Sequence, residues 1–250
     1  MRNNLSVFIS FEGGEGSGKT SQAKLLRDQL IKSGVYTILV HEPGSTPLGD
    51  YLRNWLKKEQ PKHQTISHQT EALLFAAARA ELVSKVIKPT LAQIRTVVIT
   101  DRYSDSTIAY QGYGRGIPLD DLEPMNGLAM QGTIPDLTFL LDCSPEVSLE
   151  RISPNAKLQE NPQPISKKVR VDEEGTRRFE KETLKFHTRV RQGYLALAKK
   201  DPKRWRILDA NKPVDKLSEI IWDIVQPLLQ HPTANINTDH TDLQSRFPIA

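Results

Sequence analysis

The chain has 250 residues, of which 38 % are hydrophobic and 26 % charged, enough to bury a core without disulfides or metals to staple it. No apolar run approaches the roughly 18 residues of a membrane helix, and a single cysteine, Cys143, excludes an intrachain disulfide and reads as a buried thiol without a catalytic role. The net charge is +4, but residues 151–191 hold 11 Lys or Arg against 6 Asp or Glu, so the basicity is local, which fits polyphosphate better than a nucleic-acid face.

The N-terminus leads straight into an apolar run and a glycine loop, without a secretory signature, so a cytoplasmic protein that engages neither membrane nor nucleic acid is expected. Short β-like runs follow at residues 5–11, 36–41, 96–101, 137–142 and 205–208. Helical patterns fill residues 19–33, 47–58, 69–88, 120–131, 145–152, 176–200 and 213–229. Strands alternating with helices predict βαβ units and a central parallel sheet in one α/β domain spanning residues 1–230. Residues 153–172 carry Pro154, Pro162 and Pro164 without periodicity and read as a long surface loop of the kind that forms lids. From His231 to Ala250 the chain is polar and aperiodic and reads as a disordered tail.

Between the first strand and first helix stand Gly13, Gly14, Glu15, Gly16, Ser17, Gly18, Lys19 and Thr20, matching G-x-x-x-x-G-K-[ST] in the strand-loop-helix setting the motif requires. Glycines there let backbone N–H groups converge on a phosphate at a helix N-terminus. Lys19 is placed to reach the β- and γ-phosphates, and the Thr20 hydroxyl to hold Mg²⁺. Asp101 and Arg102 end the apolar run 96–101, at the C-terminal edge of the sheet where open α/β folds bind ligands. Phe75 and Arg79 lie four residues apart and share one helix face. The GTPase base-recognition pattern Asn-Lys-x-Asp is not met, since Asn211-Lys212-Pro213-Val214 puts Asp215 one residue late.

The glycine loop, Glu42-Pro43-Gly44-Ser45-Thr46, Leu74-Phe75-Ala76-Ala77-Ala78-Arg79 and Asp101-Arg102-Tyr103 through Tyr110-Gln111-Gly112 together resemble the motifs of thymidylate kinases, in the family's order. The resemblance implies a P-loop NTP hydrolase fold with a five-stranded parallel sheet, a lid at about 151–178, and phosphorylation of dTMP by ATP and Mg²⁺ for dTTP synthesis. It further implies that Arg102 grips the acceptor phosphate, Asp101 supports the metal, Phe75 stacks on thymine and Arg79 contacts the dTMP phosphate. By the same likeness Tyr110 crowds the ribose 2′ position, Gln111 meets the base edge, Glu15 faces the 3′-hydroxyl, Glu42 is a second acid near the acceptor, and the protein is a homodimer.

The glycine loop lacks the arginine found in one branch of the family, so the cation on the transferring phosphoryl is expected from the lid, with Arg151, Lys157, Arg177 and Arg178 as candidates. Two departures stand out. The family's Arg-Glu-Pro-Gly-Gly-Thr is here His41-Glu42-Pro43-Gly44-Ser45-Thr46, and its Asp-Arg-Phe/Ile-Glu is Arg177-Arg178-Phe179-Glu180. A kinase for another nucleotide or deoxynucleoside, or a nucleic-acid-binding ATPase, would share the glycine loop and differ in the acceptor residues.

Overall fold

A computed structural model describes residues 6–57, 65–152 and 178–229. Five strands form one parallel sheet: β1 (Val7–Glu12), β2 (Tyr36–His41), β3 (Thr96–Asp101), β4 (Leu137–Asp142) and β5 (Trp205–Asp209), ordered β2-β3-β1-β4-β5. The three central strands are apolar almost throughout because helices cover both faces and leave no wet side for polar alternation. All six residues of β1 are buried, and its partners in register run from Val7 opposite Val97 to Phe11 opposite Asp101.

The helices are α1 (Lys19–Lys32), α2 (Pro47–Lys57), α3 (His68–Leu82), α4 (Lys88–Leu91), α5 (Ser104–Thr107), α6 (Leu119–Met130), α7 (Pro145–Ile152), α8 (Leu184–Lys200) and α9 (Val214–Leu229). A π-helical turn, Val83–Ile87, joins α3 to α4, so the helix expected at 69–88 runs on to Leu91. The helix expected from residue 176 begins only at Leu184, because the Thr183 hydroxyl accepts from the Phe186 backbone N–H at 3.2 Å and caps it there. The segment Ser104–Gly114, absent from the expected helices, is helical, with α5 running into a π-helical stretch, Ile108–Gly114. Glycine makes that stretch possible, since a Cβ at Gly114 would stand 2.6 Å from Phe186 Cε2 on α8. Cys143 is half-buried rather than buried, and burial raises its thiol. The expected tail at 231–250 and most of the expected lid lie outside the described residues.

Apolar clusters flank the sheet. Phe11, Phe139, Ile99 and Leu141 pack against Leu26 and Leu30 of α1 and Ile221 and Val225 of α9, while Phe8, Val98 and Tyr103 pack under the π-helical turn at Val83–Ile87. With β3 on one side of β1 and β4 on the other, consecutive crossovers leave β1 in opposite directions. That switch point opens a crevice at the strand C-termini, where the loop after β1 and the residues after β3 converge.

Phe139 is fully buried, its ring centroid 5.2 Å from that of Phe11. Phe139→Ala is expected to cost about 3–5 kcal/mol of stability, read as a lower urea midpoint with unchanged slope.

Candidate active site

The loop leaving β1 is built by steric exclusion. Gly16 has φ 72, and a Cβ there would stand 2.1 Å from the Ser148 carbonyl oxygen of α7, so no side chain fits. Inside the loop Lys19 folds back, its Nζ 2.6 Å from the Gly14 carbonyl and 3.3 Å from Ser17 Oγ. Burial and the nearby Arg102 lower its ammonium to about 8. The Thr20 hydroxyl donates to Asp101 Oδ2 across the gap between α1 and β3.

Arg102 occupies the left-handed region at φ 72, a conformation that costs a residue with a side chain roughly 1–3 kcal/mol. Its backbone N–H donates to Phe11 O at 3.0 Å, and its own carbonyl accepts the Thr100 hydroxyl at 2.6 Å. The guanidinium contacts the Gly13 carbonyl at 3.0 Å, Glu15 Oε1 at 2.7 Å, the Tyr110 hydroxyl at 2.9 Å and the Tyr194 hydroxyl at 3.1 Å. The Tyr110 hydroxyl also donates to Glu15 Oε1 at 2.9 Å. Burial works to raise the Glu15 carboxyl, and Arg102, Lys19 and Lys57 outweigh it, holding it at about 2.

Behind this pair lies Glu12, a fully buried carboxylate that sequence reasoning missed. It accepts from the Tyr103 N–H at 2.7 Å, the Ser106 hydroxyl at 2.6 Å, the Tyr194 hydroxyl at 3.1 Å and the Ser10 hydroxyl at 3.1 Å. Burial and the neighbouring Asp105 raise it to about 7. Tyr194, also not singled out from the sequence, touches both Glu12 and Arg102.

Several of the expected ligand residues are hydrogen-bonded within the protein. Arg79 is 1 % exposed, with Nε 2.8 Å from Glu42 Oε2, Nη1 2.8 Å from Asn126 Oδ1 and Nη2 3.0 Å from Thr107 Oγ1. Its guanidinium is thus hydrogen-bonded within the protein, beside the cleft-lining Glu42. Burial lifts the Glu42 carboxyl to about 7 against the pull of Arg79, and its Oε1 is buried without a hydrogen-bond partner among the described residues. The Gln111 amide donates to Glu71 Oε1 at 2.9 Å. Phe75 is half-buried, its ring 6.0 Å from that of Phe179.

Of the lid cations, Arg151 lines the cleft and reaches Asn211 Oδ1 at 3.2 Å. Arg178 does not line it. Its Nη2 is 2.5 Å from Glu71 Oε2 and its Nη1 donates to the Leu56 carbonyl at 3.3 Å, because the buried Glu71 carboxylate offers a stronger partner than solvent. Lys157 and Arg177 lie outside the described residues.

The two departures at 41 and 45 contact each other. Ser45 has φ 61, where the family pattern has glycine, and its hydroxyl lies 3.0 Å from His41 Nδ1 while accepting the His41 N–H at 2.9 Å. These hydrogen bonds offset the backbone strain that glycine would avoid.

The cleft encloses about 330 Å³ and is lined by Lys19, Arg53, Lys57, Arg102 and Arg151 against the carboxylates Glu15, Glu42 and Asp101. Arg53 and Lys57 were not singled out from the sequence, since a cation at a helix end is ordinarily solvated. The positive excess suits an anion with several charges. Thr20 and Asp101 present hard oxygen donors of the type Mg²⁺ prefers. Among the described residues no group of three or more His, Cys, Asp or Glu could cage a metal unaided.

A sequence profile described as thymidylate kinase matches residues 11–221. The thymidylate kinase of Roseiflexus castenholzii is 44 % identical over 225 residues, covering 90 % of this chain and 95 % of its own. That of Syntrophotalea carbinolica is 43 % identical over 218 residues, covering 87 % and 94 %. Among solved structures, thymidylate kinase from Ehrlichia chaffeensis superposes with a TM-score of 0.66 at 33 % identity, covering 88 % of this chain and 98 % of that one.

Glu15, held well below the ordinary 4.5, contributes stability that is full above pH 4.5 and lost as pH falls toward 2. The melting-temperature gap between the wild type and Glu15→Gln is therefore expected to hold from pH 6 to about pH 4.5 and to narrow from there to pH 3.

Proposed function

The chain belongs to the thymidylate kinase family, and from that premise we propose how its residues carry the transfer of the ATP γ-phosphoryl to dTMP. It is a dTMP kinase that forms dTDP with ATP as donor. The observation that carries the assignment of roles is the cluster of Arg102, Glu15 and Tyr110, which joins the Gly13 carbonyl of the glycine loop to the acceptor side of the cleft.

In this reading Gly13, Gly14, Glu15, Gly16, Ser17 and Gly18 wrap the donor phosphates with backbone N–H groups at the N-terminus of α1. Lys19 leaves its internal carbonyl partner for the β- and γ-phosphates, whose charge returns its ammonium to full protonation. An oxygen of the dTMP phosphate attacks the γ-phosphorus, the bond from that phosphorus to the β-bridging oxygen breaks, and ADP leaves. Arg102 supplies charge and alignment on the acceptor phosphate. Glu15 and Tyr110 bound the sugar edge, with the Glu15 carboxylate toward the 3′-hydroxyl and the Tyr110 phenol where a ribose 2′-hydroxyl would stand. Phe75 offers its exposed face to thymine, while Glu42, Arg79 and Gln111 hold the walls.

Thr20 and Asp101 would hold Mg²⁺, which supplies charge neutralisation on the β- and γ-oxygens when bound. Arg151 is the described lid-side residue supported as a contact to the transferring phosphoryl, since it already lines the cleft. A homodimer belongs to the same proposal, supported by Leu73 and Leu128, 59 % and 82 % exposed on the mutually packed α3 and α6. No helix among the described residues is long and apolar enough to cross a membrane, in keeping with the proposed cytoplasmic role.

ADP release with ATP and Mg²⁺ is to be compared across dTMP, dUMP, dCMP, dGMP, UMP and thymidine. Strong preference for dTMP, with dTDP formed and UMP poor, is expected. Preference for another acceptor would overturn the roles of Phe75 and Tyr110, and hydrolysis indifferent to acceptor but stimulated by DNA would point to the nucleic-acid-binding ATPase.

A further inference from the structure

Lys57 is the last residue of α2 and lies one turn beyond Arg53, so both side chains share one helix face and both line the phosphate cleft. Two cations spaced this way repel each other, and in isolated helices such pairs are destabilising. Arg53 spends part of its guanidinium on the Pro43 carbonyl at 3.0 Å. The Lys57 ammonium makes no hydrogen bond and no ion pair with any described residue, although it is only half exposed. The charges that act on it most are Arg53, Glu15, Arg102 and Asp101, which places it toward the acceptor end of the cleft. Burial and Arg53 lower its ammonium to about 8 against the pull of Glu15 and Asp101.

Its position is fixed from outside the helix. The Lys57 carbonyl accepts the Arg178 backbone N–H at 3.4 Å, the adjacent Leu56 carbonyl accepts the Arg178 guanidinium at 3.3 Å, and that guanidinium is anchored on buried Glu71. Arg178, expected to touch phosphate, thus braces the helix end from which a different cation faces the cleft.

We propose that Lys57 is an additional ligand of the acceptor's phosphate, completing with Arg102 a two-cation grip on the monophosphate. The inference rests on the dTMP kinase reading and deepens it by assigning a residue of α2 to the acceptor phosphate. A lysine suits this place because its point charge tolerates the movement of the phosphate oxygens toward the γ-phosphorus.

The test compares wild type, Lys57→Met, Lys57→Gln and Lys57→Arg, measuring KM for dTMP and for ATP, kcat, and the inhibition constant of thymidine, which offers base and sugar without phosphate. Removing a hydrogen bond to a charged group is expected to raise KM for dTMP about 10- to 100-fold in the Met and Gln variants, with KM for ATP and the thymidine constant within about twofold of wild type. Lys57→Arg is expected to recover most of the loss. A dTMP KM unchanged in both variants would overturn the proposal, as would thymidine weakening in step with dTMP, which marks a structural role, or a loss confined to ATP. A wild type that turns over no dTMP defeats the underlying reading instead, and is seen before any variant is made.

Discussion

The ion pair between Arg102 and Glu15 organises everything else at the open edge of the sheet. A half-buried guanidinium beside a strand end is neutralised and hydrogen-bonded, and each hydrogen bond to a charged group contributes about 1.5–3 kcal/mol. Arg102 meets this demand with the Gly13 carbonyl, the Glu15 carboxylate and two tyrosine hydroxyls. Its backbone is held in the left-handed region by hydrogen bonds to Phe11 and Thr100. The glycine loop, the strand end and α8 are therefore tied through one side chain.

Around that pair the chain sets further buried carboxylates, each matched to its own donors. Glu12 collects hydroxyl and N–H groups behind Arg102, Glu42 pairs with Arg79, and Glu71 takes Gln111, Arg115 and Arg178. A fully satisfied polar network in a low-dielectric setting is rigid and specific, and a partly satisfied one is costly. Among these acids Glu42 alone leaves an oxygen, Oε1, buried without a hydrogen-bond partner among the described residues, and it is a residue that lines the cleft.

The strands were legible because helices on both faces force the central ones to be almost wholly apolar, and the glycine loop was legible because its first motif glycine, Gly13, answers to strict sterics, a Cβ there standing 2.6 Å from the Leu141 carbonyl oxygen. The helical stretch Ser104–Gly114 was not, since its glycines and its short, π-helical form break the periodicity that marks a helix. Glu12 and Tyr194 were hidden for another reason. A carboxylate at the end of an apolar run, and a tyrosine on an amphipathic helix, gain their roles only when the sheet brings residues 182 positions apart into contact. Arg178 shows the opposite failure, for its charge was visible but the buried Glu71 that captures it was not. His41 and Ser45, each a departure when read alone, become one coupled change once seen 3.0 Å apart.

The central claim, that Arg102 and Glu15 act as one unit, is tested most directly by a double-mutant cycle on dTMP affinity, measured calorimetrically for wild type, Glu15→Gln, Arg102→Lys and the double variant. Contacting residues of one network show coupling of about 0.5–3 kcal/mol, whereas independent sites add within about 0.3–0.5 kcal/mol. A coupling of about 1 kcal/mol or more is the predicted result. Additivity would contradict the account and leave Arg102 an acceptor ligand with no stake in the glycine loop.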